Sequence, residues 1–236
     1  MEFAVAAGFN ASAEIQAAGR YNHNLRLFSA SQVQSRTPLQ ELRMITHGWA
    51  RASPAVLAGV GASSFSRGFS AVCWFTGRHL TERLGHPIGL VDASWGGTHI
   101  AHWVTANDTQ HCTGSGAFGR DTELTRDRDL RDRARTKGGM GAPAWESPGD
   151  IFNAMVLPFS YTPVFGVLWY QGESDTAGES SATYTQGQRY ACSFRALVGS
   201  WRKQWQAASG TPPDLPFGFV LASPDGYVLN GYMDML

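Results

Sequence analysis

Four short apolar runs constrain the fold of this chain more than any other feature. They are Leu25–Ala30 (LRLFSA), Ile88–Ala93 (IGLVDA), Phe165–Tyr170 (FGVLWY) and Phe217–Ala222 (FGFVLA). Short and set off by Gly or Pro, they fit strands buried on both faces. Helical patterns lie between them. From Ser70 to Leu84, the residues Cys73, Gly77, Leu80 and Leu84 fall on one helical face; from Tyr190 to Trp205, Phe194, Leu197, Val198, Trp201 and Trp205 recur at helical spacing. Strands alternating with helices predict a parallel sheet covered on both sides, whose sites form at the carboxyl ends of the strands.

The bulk numbers narrow the function. The chain has 236 residues, 43% apolar and 16% charged. This composition marks a globular chain, read here as one domain over 1–236. Nineteen basic residues balance nineteen acidic ones, so no overall field points to nucleic acid or an anionic membrane. No apolar run approaches membrane-spanning length, and the start, MEFAVAAGFNAS, lacks a signal-peptide core. The eight tryptophans are read mainly as core. Asn10 and Asn107 stand in Asn-x-Ser/Thr acceptors, a hint of a glycoprotein. The three cysteines, Cys73, Cys112 and Cys192, are odd in number and match no zinc spacing. Neither a disulfide framework nor a metal site is indicated, and Cys73 reads as a buried small hydrophobe.

One region departs from the strand–helix plan. Within an insertion at about 110–145, Arg120–Lys137 is dense in charge of alternating sign, flanked by GSGAFG and GGMGAP. It is expected to be a solvated, exposed segment, a lid over the substrate being the alternative.

Two strands end in polar clusters. The third reads GVLWYQGESD, an apolar run that delivers Gln171, Gly172 and Glu173 at its carboxyl end. The second runs into DASWGGTHIAHW, where adjacent Gly96 and Gly97 let the backbone approach a ligand and turn N–H groups toward an oxygen. A phosphate loop would need lysine after the glycines, and Thr98 and His99 follow instead. Backbone donors from one strand end and a side-chain amide from the next make the arrangement that an oxyanion hole requires in acyl transfer.

The blocks GLVDASWGGTHIAHW, FSAVCWFTGRHL, IFNAMVLPF and GVLWYQGESD resemble the sialate O-acetylesterase family of SGNH-type carbohydrate esterases, and YACSFRALVGSWRKQW and LPFGFVLA continue the likeness in order. Relatives carry Pro where His99 stands and Glu-Ala at Ala101-His102. The resemblance implies a three-layer α/β/α sandwich, a serine nucleophile, a late Asp-His pair and no cofactor. Carried over, it makes Gly96 or Gly97 a backbone oxyanion donor and Gln171 a side-chain donor, with Gly172 and Glu173 supporting the loop. The implied substrate is an O-acetylated sialic acid or another acetylated sugar, in a secreted or lysosomal setting or a cytosolic form.

In such relatives the nucleophile stands in a Gly-Gln-Ser-Asn-Met motif ending the first strand. Met1 aligns with that methionine, which places the serine two residues ahead of it; the Asp-His pair likewise has no counterpart after FGFVLA. The resemblance therefore predicts a chain truncated at both ends and inactive alone, without the nucleophile-bearing strand between the LRLF and IGLVDA strands. No Gly-x-Ser-x-Gly elbow replaces it, and Ser94 and Ser174 have no activating context. His99 and His102 share a helical face and Cys112 follows His111, but a metal site would need a third ligand, so surface or pocket-rim histidines are expected. Two other readings stand beside the esterase: a non-catalytic glycan-binding protein and a poorly folding truncated product.

Overall fold

The computed structural model of the chain describes residues 3–59, 68–113, 148–176 and 186–220; Arg120–Lys137 lies outside them. Strand β1 (Leu25–Ala30) is where both layers begin. Leu25 and Leu27 face one core cluster, Phe28 and Ala30 the other, because successive strand side chains alternate faces. β1 pairs with β3 (Ile88–Asp92) in parallel, from Leu25↔Ile88 to Ser29↔Asp92. No strand intervenes, so the expected gap between these two runs is corrected: their facing edges satisfy each other.

The other edge of β1 pairs antiparallel with β2 (Ile45–Arg51), from Arg26↔Arg51 to Ala30↔Ile45. This strand was not expected. Its side chains are half-buried or exposed throughout, so it never presents the two-sided apolar run that marks the others. Two further strands, β4 (Val167–Trp169) and β5 (Phe217–Phe219), pair in parallel. Both are shorter than the apolar runs that predict them; Phe165 stays 84% exposed, and Tyr170 has left the ladder. Among the described residues the ladders form two groups, β2–β1–β3 and β4–β5.

The helices cover these sheets. Helix α1 (Ala11–Ala17) and the short α2 (Pro54–Ala58) precede α3 (Ala71–Leu84), which starts where the Ser70 hydroxyl accepts from Cys73 N and stops at Gly85 in the left-handed region. Its buried face is Ala71, Cys73, Trp74, Gly77 and Thr81. Leu80 and Leu84, expected on that face, are largely exposed. Gly77 is required by packing: a Cβ there would lie 2.5 Å from Leu90 Cδ1 of β3. The fully buried Trp74 donates its indole N–H to Glu14 at 2.6 Å, and Arg78 pairs with the same carboxylate oxygen.

On the other layer, the short α4 (Ala106–Thr109), a π-helical turn at Phe152–Val156 and the short α5 (Glu173–Thr176) lead to α6 (Gln186–Ser209). Helix α6 sinks Leu197, Trp201 and Trp205 into the second cluster, with Phe194 and Val198 beside them, as its periodicity predicts. Trp103, Trp169, Trp201 and Trp205 make that core aromatic. Each indole N–H finds a partner, in Thr98 Oγ1, Tyr190 Oη, Trp103 O and Thr162 O respectively, as buried tryptophans require.

The cysteines depart from expectation. Cys112 and Cys192 form a disulfide that closes 80 residues of sequence. Spacing along the chain could not show it, since the partners meet only once the turn after α4 packs on α6. Cys73 is buried as predicted; burial, assisted by the Asp92 carboxylate, pushes its thiol up to about 12.

Candidate active site

After Asp92 the chain passes through Gly96 and Gly97 to a 3-10 turn at Ile100–Trp103. Gly97 has φ +74 with open space where a Cβ would stand, so conformation, not room, calls for glycine there. After Trp169 the chain leaves its ladder through Tyr170, Gln171 and Gly172, the last at φ 142. The Gln171 side chain then crosses to the other loop, and its Nε2 donates to Thr98 O at 2.9 Å. The two polar strand ends are thus brought together, with Gln171 bonded to the residue that follows Gly97.

A carboxylate missed in the sequence joins them again. Asp175, in α5, accepts from Gln171 Nε2 and from the Ile100 backbone N–H at 2.9 Å, and its other oxygen lies 3.4 Å from His99 Nδ1. One carboxylate therefore serves donors from both loops. Two acceptors on one amide nitrogen also fix the orientation of the Gln171 amide, because a flipped amide would aim its oxygen at a carboxylate. The signal was available: Asp175 stands four residues past Gln171 at the end of the stretch GVLWYQGESD, but its partners come from a loop 75 residues earlier.

Hydrogen bonds and ring contacts tie the floor below. Tyr190 Oη donates to Gln171 O at 2.8 Å while accepting from Trp169 Nε1. Thr98, 2% exposed, donates to Trp95 O and accepts from Trp103 Nε1. Trp103 and Trp169 meet edge to face at 5.9 Å. Gly172 is buried, whereas Glu173 and Ser174 are half-buried at the start of α5.

The histidines divide. His99 is half-exposed at the rim, as expected. His102 is not a surface residue: it is 2% exposed, and its Nδ1 lies 2.9 Å from Oδ1 of the buried Asp150, which also accepts from Ile151 N. The 3-10 turn that begins after His99 sends His102 inward. Ser94 Oγ donates to Asp92 Oδ1 at 2.7 Å; that is a hydrogen bond to a carboxylate, not to an imidazole base.

No family model matches the sequence. The chain is 31% identical over 245 residues to the sialate O-acetylesterase of Mus musculus, covering 99% of this chain and 43% of the relative. To the sialate O-acetylesterase of Homo sapiens it is 30% identical over 229 residues, 95% of this chain and 38% of the relative. Among solved structures, a carbohydrate acetylesterase from Xanthomonas citri superimposes with a TM-score of 0.63 at 25% identity, over 93% of this chain and 38% of that one. The mixed α/β fold described above matches that structure. The chain spans about two-fifths of the length of the curated relatives it matches.

Proposed function

Since the chain is a homologue of the sialate O-acetylesterases over nearly its whole length, we propose that it carries the oxyanion side of a site that removes O-acetyl groups from sugars. The observation that carries this reading is the bond from Gln171 Nε2 to Thr98 O, which sets a side-chain amide beside the Gly96-Gly97 turn.

In acyl transfer the ester carbonyl oxygen becomes an anion as the nucleophile adds, and fixed N–H donors that meet it lower the barrier. Gly96 or Gly97 supplies a backbone N–H and Gln171 an amide N–H. In the structure, Gln171 Nε2 donates to Thr98 O and to Asp175, so receiving an oxyanion means exchanging one of those bonds. Glu173 and Gly172 hold the turn that presents Gln171. The serine nucleophile and its Asp-His pair are assigned to none of residues 1–236. An acyl-enzyme on that serine, opened by water, completes the reaction.

The substrate is an acetylated sugar, with O-acetylated sialic acid first. Residues 1–236 alone should release acetate from it, or from an aryl acetate, no faster than a protein control. Joined to a Gly-Gln-Ser-Asn-Met strand and an Asp-His segment from a relative, they should turn over. There Gln171→Ala should lower kcat by roughly 10²–10³, the cost of one oxyanion donor. Turnover by the bare chain that Ser94→Ala abolishes would overturn the assignment of the nucleophile. Acetyl-sugar binding without turnover in the joined protein would favour the glycan-binding reading.

A further inference from the structure

The disulfide has a third neighbour. His111 precedes Cys112 in the 3-10 turn Gln110–Thr113, and one potential donor atom from each of His111, Cys112 and Cys192 lies within 4.8 Å of the others. His111 is exposed and Cys112 is buried beneath it. His111 and Cys192 also line an open pocket of about 390 Å³ whose other walls include Asp108, Arg195, Ser200 and Lys203. The third ligand that the sequence did not offer beside His111 and Cys112 is Cys192, delivered by α6.

We propose that His111, Cys112 and Cys192 form a redox-gated site for a borderline-soft divalent cation of the zinc class, closed as the disulfide and opened by reduction. Thiolates bind such a metal, and a sulfur committed to an S–S bond has no thiolate to offer. Two thiolates and one imidazole suit zinc, whereas magnesium and calcium require oxygen ligands. Zn–S bonds of about 2.3 Å set two sulfurs about 3.8 Å apart on a tetrahedral centre. With Cα atoms 5.4 Å apart, the cysteines reach that span by rotation about their Cα–Cβ bonds. Water from the pocket takes the fourth position.

The chemistry balances with a dithiol as reductant. It gives two electrons and two protons to the Cys112–Cys192 bond and becomes a cyclic disulfide itself. The two new thiols then lose their protons as the metal enters.

The test uses the full chain, reduced with a dithiol, desalted without oxygen and titrated with Co²⁺ as a coloured stand-in for zinc. The reduced chain should bind one equivalent with a thiolate-to-cobalt charge-transfer band and the strong visible bands of a tetrahedral site, bleached by Zn²⁺. The oxidised chain should show neither. His111→Ala keeps the disulfide and should weaken binding by more than the roughly 10–100-fold that loss of a supporting partner costs. Zn²⁺ should also raise the Tm of the reduced chain and leave that of the oxidised chain unchanged. Cobalt bands that form without reduction, or survive His111→Ala unweakened, would overturn the site. So would a Tm indifferent to zinc in both redox states.

Discussion

Ladder hydrogen bonds hold β1 along both edges, between β2 and β3, whereas β4 is only three residues long and, among the described residues, pairs with β5 alone. On the Leu25 and Leu27 face of β1 the core is mainly aliphatic among the described residues: Leu25, Leu27, Leu57 and Leu90 pack with Phe69 and Trp74. Around β4 it is aromatic, and four indole N–H groups reach into loops and helices. Where backbone ladders are long, side chains need only fill space. Where the ladder stops, side chains must also satisfy backbone groups, as Trp201 does for Trp103 O. The candidate site lies at that transition, because β4 can present Gln171 only by leaving its ladder.

The sharpest way to break the comparison is to remove an indole. Trp201, 6% exposed, packs edge to face on Trp169 at 5.9 Å as well as bonding Trp103 O. Trp201→Ala should cost about 3–5 kcal/mol, through a cavity and an orphaned carbonyl together. Urea unfolding reads it as a shift in midpoint at constant slope. A loss under about 1 kcal/mol would mean that the ladders, not the indoles, hold this half.

Overpacking probes the other half. Gly77→Val drives new methyls into Leu90, whose Cδ1 and Cδ2 would lie 2.5 and 2.6 Å from the added Cβ. The expected cost is about 1–3 kcal/mol. A Tm that rises instead, as helix propensity alone would have it, would show that Leu90 has room to move and that α3 packs loosely on β3.

The same layer should respond to alkali. Burial holds the folded Cys73 thiol up to about 12, while the unfolded thiol ionises near 8.5. Above that value the unfolded chain binds fewer protons, so stability is full below it and falls as pH rises toward the folded value. Between pH 9 and 10 the slope should approach 1.4 kcal/mol per unit, roughly. Comparing the alkaline fall in Tm of the native chain with that of Cys73→Ala isolates the term. Identical pH profiles would mean that Cys73 is not sealed in this core.

How much of this was legible follows from range. β1, β3 and the two long helices announce themselves because burial writes its period into neighbouring residues, as Leu25 and Leu27 do on one face and Phe28 and Ala30 on the other. β2 does not, since a half-exposed edge strand such as ITHGWAR needs no apolar run. At the site, the meeting of the Gly97 and Gln171 strand ends was legible. The Asp175 bond to Ile100, the His102–Asp150 pair and the Cys112–Cys192 disulfide were not, because each joins residues 48 to 80 apart that only the fold brings together. Arg120–Lys137 was read from charge density alone and lies outside the described residues.

The smallest effect should come from the seam between the two regions, where Asp175 takes donors from both loops. Asp175→Asn keeps the shape but removes the charge, so Ile100 N–H and Gln171 Nε2, which share Oδ2, would bond a neutral amide oxygen in place of a carboxylate. Exchanging a charge-assisted bond for a neutral one costs about 1 kcal/mol, roughly fivefold in a local opening equilibrium. Hydrogen exchange at the Ile100 amide should therefore quicken by about that factor, while amides in β1 stay unchanged. If exchange at Ile100 is unmoved, the loops are joined through Thr98 and the aromatic floor, and Asp175 is a passenger. If amides in β1 quicken as well, the two regions share one cooperative unit and their contrast lies in construction, not in stability.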